Sequence, residues 1–200
     1  MPGRIFESHW SFRLLLSLPA LIMLWQFFVV VPSWGLLLDR SGEWSVRMLI
    51  MTLAITPMRL ILKQAGLGPY WPMWLFKRRR ELGLAAFLYG ALHLGTYLVR
   101  QSNLRVVLFD VRFAEYIMGW IAFLTLLALA VTSNDRAVHG LGTWWKPLQR
   151  LAYVSALAAA LHWLWIKLDH TAVYLHFLPL VALEAYRLWY NFARPAGLRH

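Results

Sequence analysis

The run LLLSLPALIMLWQFFVVVPSWGLLL, residues 14–38, holds 25 successive residues without a charged side chain. A helix needs roughly 20 mostly apolar residues to cross about 30 Å of hydrocarbon, so this run is long enough to span a bilayer. It is too long for the apolar region of a secretory signal peptide, and no small-residue cleavage site follows it. We therefore predict a membrane-spanning helix over residues 14–38.

The composition of the whole chain also indicates a membrane protein. Of its 200 residues, 60% are apolar and 14% are charged, whereas soluble domains average about 45–50% and 25%. Too few charged side chains remain to cover a water-facing surface, which excludes a soluble domain. A net charge of +11 does not indicate nucleic-acid binding, since that requires a polar body with a basic stripe. The sequence has no cysteine, so His and carboxylates are the ligands for any metal.

Five further stretches qualify as membrane spans. Three of them lack charged side chains, namely residues 82–99, 116–134 and 151–166. Two weaker ones contain charges that can extend toward the interfaces, namely 44–62 with Arg47 and Arg59, and 171–183, which continues past Glu184. The sequence thus predicts an all-α integral membrane protein, a bundle of six transmembrane helices in one domain over residues 1–200. The connection 64–76, rich in Gly, Pro and Trp, is predicted to be an interfacial loop.

The distribution of Lys and Arg predicts the orientation. With six spans both termini lie on one side, and that side holds 14 of these residues: Arg4, Arg13, Arg59, Lys63, Lys77, Arg78, Arg79, Arg80, Arg136, Lys146, Arg150, Arg187, Arg194 and Arg199. The other side holds six: Arg40, Arg47, Arg100, Arg105, Arg112 and Lys167. Because cytoplasmic loops accumulate Lys and Arg, both termini are predicted to be cytoplasmic.

Two histidines occupy matching depths. His93 follows Arg80 by 13 residues and His162 follows Arg150 by 12, which places them about 20 Å and 18 Å from the cytoplasmic border at 1.5 Å per residue. Both lie in the outer half of the bilayer. Two neutral imidazoles at one level on neighbouring helices suit the two axial positions of haem iron. Gly90, one turn from His93, would let a porphyrin approach the helix, although taken alone it is better explained by ordinary close packing between membrane helices.

The residues alone leave other roles open for this pair. Ionisable groups inside a membrane tend to mark function, and interhelical hydrogen bonds or a proton relay are the alternatives to a metal or haem site. His176 also lies within a predicted span, but it is shallower and therefore an alternative ligand. The other histidines are expected to be solvated in loops or tails: His9, His139, His170 and His200.

Several short motifs resemble a known family. In chain order they are RRELGL (79–84), ALHL (91–94), TSN (132–134), LG (141–142), Trp145, LQRLAY (148–153) and LHWLW (161–165). Their order and spacing over about residues 45–168 resemble the haem-binding membrane subunit of bacterial methionine-sulfoxide reductase systems, within the wider ferric-reductase-like transmembrane group. The resemblance implies a b-type cytochrome of the bacterial inner membrane. It also implies a periplasmic molybdenum-containing methionine sulfoxide reductase as the electron acceptor.

The resemblance carries His93 and His162 onto haem-ligand positions. It also reveals a departure, because members commonly have a further His 13 residues before the one that matches His162. This chain has Gln149 there, and Gln is not an ordinary haem ligand. We therefore predict one haem b and not two.

The electron donor implied by the resemblance is a cytoplasmic flavin reductase or flavin mononucleotide. A membrane quinol is the alternative, since the haem would lie far from the cytoplasmic border. Arg78, Arg79 and Arg80 form a basic edge that suits a flavin phosphate, although anchoring at the cytoplasmic interface also accounts for them. On the other side Arg100, Arg105 and Lys167 are candidate partners of the haem propionates.

The predicted chain conducts electrons and does no substrate chemistry itself. Ferric or oxygen-reducing activity would require a separate flavin and nicotinamide protein. A small transporter or proton relay that uses the intramembrane histidines is one rival hypothesis, and a scaffold for a partner complex is another.

Overall fold

The computed structural model describes residues 9–67 and 70–193, and every regular element in these ranges is helical. The α-helices are α1 (His9–Trp25), α2 (Trp34–Gln64), α3 (Tyr70–Lys77), α4 (Arg79–Gln101), α5 (Leu104–Asp110), α6 (Ala114–Val131), α7 (Asp135–Leu141), α8 (Trp145–Gln149), α9 (Leu151–Ile166) and α10 (Thr171–Ala193). A π-helical turn (Gln26–Val30) continues α1, and a 3-10 turn (Gly142–Trp144) joins α7 to α8. Arg4, Arg194, Arg199 and His200 lie outside the described residues.

Four helical stretches within the described ranges are long and apolar enough to cross a membrane. They are Trp10–Val30, Trp34–Gln64, Arg79–Gln101 and Ala114–Val131. The helices α9 and α10 have 16 and 23 residues, which correspond to about 24 Å and 34 Å at 1.5 Å per residue. The chain is therefore a helical membrane protein, and six spans with cytoplasmic termini stay a prediction.

The predicted first span, residues 14–38, is wrong in its extent. The helix that begins with α1 ends at Val30, Val31 is extended (φ −147°, ψ 115°), and α2 begins at Trp34. Pro32 explains the break, because proline has no N–H to continue a helix and disfavours the helical conformation in the residue before it. The uncharged run thus supplies the end of one helix and the start of the next.

The second helix consequently begins well before the predicted start of its span at residue 44. Ser33 caps it, since the Ser33 hydroxyl accepts a hydrogen bond from the N–H of Leu36 at 3.3 Å. With 31 residues, α2 is about 46 Å long and exceeds the thickness of the hydrocarbon core. It can therefore keep Asp39 and Lys63, near its two ends, at the interfaces.

The connection 64–76, predicted to be a loop, contains α3, so that prediction was wrong. Pro72 lies in the first turn of α3, where a proline is tolerated because its missing N–H would have no helical partner there. Directly after α3, the buried guanidinium of Arg78 lies 5.4 Å from the ring of Phe12 and 5.3 Å from that of Trp74. These cation–π contacts fix α3 against α1.

Two pairs of helices form the body of the bundle. One is α2 with α4, the other is α6 with α9, and α10 packs on α2. A serine hydroxyl joins each pair: Ser45 donates to the carbonyl of Ala86 at 2.8 Å, and Ser155 donates to the carbonyl of Ala122 at 3.1 Å. Small residues and serines at such contacts let membrane helices approach closely.

The bundle has two unlike halves. The inner half is defined here by the first residues of α4 and α9, and the outer half by their last residues. Side chains of the inner half are tightly packed, and those with at most 2% of their surface exposed include Leu53, Leu82, Ala86 and Ser155. The space that the helices leave open lies in the outer half.

Tyr89 joins α1 to the rest of the bundle through the backbone of α1. Its hydroxyl accepts from the N–H of Ala20 at 3.0 Å and donates to the carbonyl of Leu16 at 2.7 Å. In an undisturbed helix those two backbone groups would bond each other. The hydroxyl is therefore inserted into the hydrogen-bond ladder of α1 beside Pro19, where the helix is already interrupted.

Replacing Tyr89 with Phe should lower the thermal denaturation temperature of the purified protein in detergent. The change leaves an N–H and a carbonyl of α1 without their partner, and a buried unpaired group costs about 1–3 kcal/mol. Tyr174→Phe is the matched control, because Tyr174 is 51% exposed. Equal denaturation temperatures for the two variants would show that the inserted hydroxyl contributes nothing.

Candidate functional site

The two histidines that share a predicted depth meet inside the bundle. His93 lies on α4 and His162 on α9, and their ring centres are 6.2 Å apart with the ring planes at 87°. Both line a cavity of about 570 Å³ between α2, α4, α6 and α9, a volume typical of small-molecule sites. The helix pairs α2–α4 and α6–α9 thus each contribute one imidazole.

Backbone carbonyls determine which nitrogen of each ring is protonated. His93 Nδ1 lies 2.8 Å from the carbonyl oxygen of Leu38, and His162 Nδ1 lies 2.6 Å from that of Glu115. Because a carbonyl oxygen only accepts, each Nδ1 carries the proton and donates it. Each Nε2 therefore keeps its lone pair, which is the state of a histidine that ligates a metal through Nε2 and bonds a carbonyl through Nδ1.

A glycine beneath each ring makes these hydrogen bonds possible. A Cβ atom at Gly42 would lie 2.9 Å from His93 Nδ1, and one at Gly119 would lie 2.9 Å from His162 Nδ1. In both cases the carbonyl that accepts from the imidazole belongs to the residue four positions before the glycine, Leu38 or Glu115. The same contact, an imidazole lying on a glycine and bonded to the carbonyl one turn earlier, thus occurs twice.

Sequence analysis missed both glycines. Gly42 lies before residue 44, where the second span was predicted to begin, so it was not considered. Gly119 lies within the predicted span 116–134, but only small residues on the histidines' own helices were considered there. The signal that could have found them is a glycine at the depth of the histidines on each of the two neighbouring helices.

The separation of the rings matches two imidazoles on one metal. A metal–imidazole bond is about 2.0–2.1 Å, and ring bonds of about 1.33 Å put the nitrogen roughly 1.1 Å from the ring centre. Two imidazoles on opposite sides of one metal therefore have centres about 6.2–6.4 Å apart, and the observed value is 6.2 Å.

The number of imidazoles suits haem better than a bare ion. A zinc site takes four ligands, whereas a six-coordinate haem iron needs two axial ones because the porphyrin supplies the rest. Within residues 9–67 and 70–193, no group of three or more His, Asp or Glu side chains is placed to hold a metal ion. The residues present therefore fit a metal that brings its own equatorial ligands.

His176, the alternative ligand, is engaged elsewhere. Its Nε2 accepts from Arg47 Nε at 3.1 Å, and its Nδ1 lies 2.6 Å from the carbonyl oxygen of Ala172. It lies beside Trp163, with 5.2 Å between the ring centres, and the cavity is lined by Trp163 and not by His176. Both ring nitrogens of His176 thus have protein partners.

The remaining candidates are divided between the cavity and the inner half. Gly90 lines the cavity, and a Cβ there would also lie 3.2 Å from the Ser45 hydroxyl. Gln149 lies at the end of α8 and donates to Thr132 Oγ1 at 3.3 Å. Gly90 therefore serves helix packing as well as the cavity, and Gln149 is not part of the cavity wall.

The three arginines of the basic edge are all engaged within the protein, and Arg78 is buried beside Phe12 and Trp74. Arg79 donates to the hydroxyl of Thr56 at 3.2 Å, and Arg80 pairs with Asp135 at 2.7 Å. The hydrogen bond from Arg80 lowers the pKa of the Asp135 carboxyl below its ordinary value. The guanidinium groups of Arg79 and Arg80 thus fasten the start of α4 to neighbouring segments.

The fold and the site together define a helical membrane protein with two paired imidazoles in its outer half. The chain belongs to the family described as the ferric reductase like transmembrane component, whose model matches residues 41–166, and within it to the MsrQ type. The resemblance noted in the sequence is thereby confirmed.

The curated relatives are similar over much of this chain. It is 37% identical over 175 residues to the protein-methionine-sulfoxide reductase heme-binding subunit MsrQ of Rhizobium meliloti (strain 1021), covering 81% of this chain and 74% of that protein. The MsrQ of Herminiimonas arsenicoxydans is 40% identical over 131 residues, with 64% and 56% covered. The MsrQ of Brucella melitensis biotype 2 (strain ATCC 23457) is 36% identical over 126 residues, with 62% and 53% covered. The chain thus spans little more than half the length of the last two relatives.

If the pair holds haem, Gly42→Ala and Gly119→Ala should each lower the haem bound per polypeptide by roughly tenfold or more, because the new methyl group displaces an imidazole from the carbonyl that orients it. Haem is quantified by absorbance after purification with excess haem. Gly95→Ala on α4 is the matched control, since a Cβ there meets no atom within 4 Å. Wild-type haem content in both site variants would contradict the role given to the glycines.

Proposed function

We propose that this chain is the haem-carrying electron-transfer subunit of a methionine-sulfoxide reductase system. In this proposal His93 and His162 are the axial ligands of a single b-type haem. The chain conducts electrons across the bacterial inner membrane to a periplasmic, molybdenum-containing methionine sulfoxide reductase that repairs oxidised proteins. The names of the relatives at 36–40% identity support the haem and the reductase system.

The observation that carries the proposal is the pair of rings 6.2 Å apart, each with its Nε2 lone pair left free by an Nδ1–carbonyl hydrogen bond. Bound haem supplies reversible one-electron oxidation and reduction. The chain's own part is to hold both imidazoles neutral and oriented and to keep the site within apolar walls such as Leu49 and Leu126. These hydrogen bonds also count against a proton relay, because both Nδ1 protons are held by backbone carbonyls and have no onward acceptor there.

The packing of the inner half supports one haem. Leu82 and Ala86 on α4 and Ser155 on α9 are almost fully buried there, so the helices that would flank an inner cofactor already contact their neighbours. Gln149, at the position where the resemblance implies a further His, bonds to Thr132. A second haem would have to separate these contacts.

The proposed topology has six spans with both termini in the cytoplasm. It adds α9 and α10 to the four long apolar helices and follows the excess of Lys and Arg on the terminal side. In this orientation the outer half of the bundle faces the periplasm. The paired imidazoles then lie closer to the proposed periplasmic acceptor than to the cytoplasm.

The proposed donor is a cytoplasmic flavin reductase or flavin mononucleotide, with a membrane quinol as the alternative. The choice between flavin and quinol depends in part on the basic edge. Arg79 and Arg80 there are already bonded to Thr56 and Asp135. A flavin phosphate would have to compete with these partners. A quinol reaches the haem through the bilayer and needs no such site.

Spectroscopy of the full-length protein tests the proposal. Wild-type protein purified with ample haem should show a Soret band with near one haem per chain, and His93→Ala and His162→Ala should each lose most of it because one axial ligand is removed. His139→Ala, which alters an exposed histidine of α7, is the control and should keep its haem.

The rival hypotheses predict different results. Wild-type protein without a Soret band would contradict the cytochrome and favour a transporter or proton relay. Near-stoichiometric haem in both ligand variants would show that other residues hold the iron. The proposed acceptor would be wrong if haem-loaded protein passed no electrons to the methionine sulfoxide reductase with either flavin or quinol as donor.

A further inference from the structure

The cavity between the four helices has two chemically different ends. Its inner end is closed by apolar side chains, among them Leu49 and Leu126, which are 2% and 6% exposed. Its outer end is lined by three charged residues, of which Asp39 and Arg100 are exposed and Lys167 is half-buried. The cavity therefore opens toward the outer face of the bundle and has its cations at that opening.

The two cations follow the two histidines along the same helices. Arg100 lies seven residues after His93 near the end of α4, and Lys167 lies five residues after His162, directly after α9. Lys167 Nζ is 2.8 Å from Asp39 Oδ2. The other acidic residue of the lining, Glu43, pairs with Arg47 at 2.8 Å.

The wall beside Arg100 is held in place by hydrogen bonds. Tyr97 donates to Asp110 Oδ2 at 2.6 Å, and Gln101 Nε2 donates to the same oxygen at 3.2 Å. Asp110 is the last residue of α5, so these bonds tie α5 to the end of α4 next to the opening. The last turn of α4, which carries Arg100, is thereby held at the rim.

We infer that Arg100 and Lys167 form a carboxylate-binding end of the cavity, which holds the two propionate groups of haem and turns the propionate edge of the macrocycle to the outer face. This inference rests on the proposed haem function. A carboxylate buried without a partner is strongly disfavoured, so the apolar end next to Leu49 and Leu126 does not accept it. The opening offers two cations, one on each of the helices that carry an imidazole.

Arg105, the third candidate partner of the propionates, differs from Arg100 and Lys167 in its position. Arg105 lies exposed on α5 and is not part of the cavity lining, whereas Arg100 and Lys167 are. Arg105 therefore has no part in the carboxylate-binding end. It provides a control that removes the same charge from the same face of the protein.

Because of Asp39, the inference predicts opposite effects on propionate binding for two substitutions. Asp39 is the carboxylate that now bonds Lys167, and a propionate would share Lys167 with it. Lysine has three donors, so sharing is possible, but two neighbouring carboxylates repel each other. Asp39→Asn should consequently strengthen the hold on a propionate, while Lys167→Gln should weaken it.

The experiment compares two forms of the cofactor on the full-length protein. Haem-free protein is reconstituted with haem or with haem dimethyl ester, in which both propionates are esterified and uncharged. The rate at which each leaves for an excess of a haem-scavenging protein is then measured. In wild type the ester should leave about tenfold faster or more, because charge-assisted hydrogen bonds to a carboxylate are lost.

The variants should change the ratio of the two release rates, that of the ester divided by that of haem, in a set pattern. Arg100→Gln and Lys167→Gln should each lower it, and the double variant should bring it close to one. Asp39→Asn should raise it, and Arg105→Gln should leave it as in wild type. All these side chains lie at the exposed rim or on α5, and the wild-type comparison of the two cofactors needs no substitution at all.

Two results would overturn the inference, and they can be told apart. If haem binds with a bis-imidazole spectrum but leaves wild-type protein as fast as its ester does, the carboxylate-binding end is wrong while the haem function stands. The same holds if Arg105→Gln lowers the ratio as much as Arg100→Gln. If neither cofactor binds with a bis-imidazole spectrum, the proposed function fails and this inference fails with it.

Discussion

Two backbone carbonyls, those of Leu38 and Glu115, determine what the centre of this bundle can do. Each accepts the Nδ1 proton of an imidazole from the neighbouring helix, which leaves the lone pair of both rings on Nε2. A helical carbonyl already accepts from the N–H four residues later, and that residue is Gly42 or Gly119. Because glycine has no Cβ, the ring can reach the second lone pair of the same oxygen. Glycine at these two positions thus allows the contact that sets the tautomer and the position of each ring.

The same imidazole–carbonyl contact occurs in both helix pairs of the bundle. The pairs α2–α4 and α6–α9 each hold one imidazole on a glycine of the partner helix, and a serine hydroxyl joins the two helices of each pair, from Ser45 on α2 to α4 and from Ser155 on α9 to α6. In a membrane, helices associate through such close contacts and polar bonds and not through the hydrophobic effect. The bonds within each pair therefore hold each ring on its partner helix, and the packing of α4 against α6 and of α9 against α2 brings the two rings 6.2 Å apart.

The sequence was sufficient to predict that His93 and His162 lie at a common level, since helix rise is constant and each follows an arginine near the start of its helix by a similar number of residues. It was not sufficient for helix boundaries, because Pro32 divides an uncharged run that hydropathy alone treats as one span. That error placed the start of the next span after Gly42 and hid it. Gly119 was missed for a different reason. A glycine within a span matters here only because of the ring that faces it, and that pairing is a tertiary contact which one helix does not encode.

The unlike halves of the bundle connect its packing to its proposed role. The tightly packed inner half contains Leu53 and Ala86, both with no exposed surface, and the open outer half contains the imidazoles. In the proposed topology a cofactor confined to the outer half would lie about 18–20 Å from the cytoplasmic border, so a cytoplasmic donor would have to transfer electrons across that packed layer. A lipid-soluble donor approaches between the helices at the depth of the cavity and avoids the layer. In the proposed function, the packing that leaves room for a single haem would also favour the donor that avoids this layer.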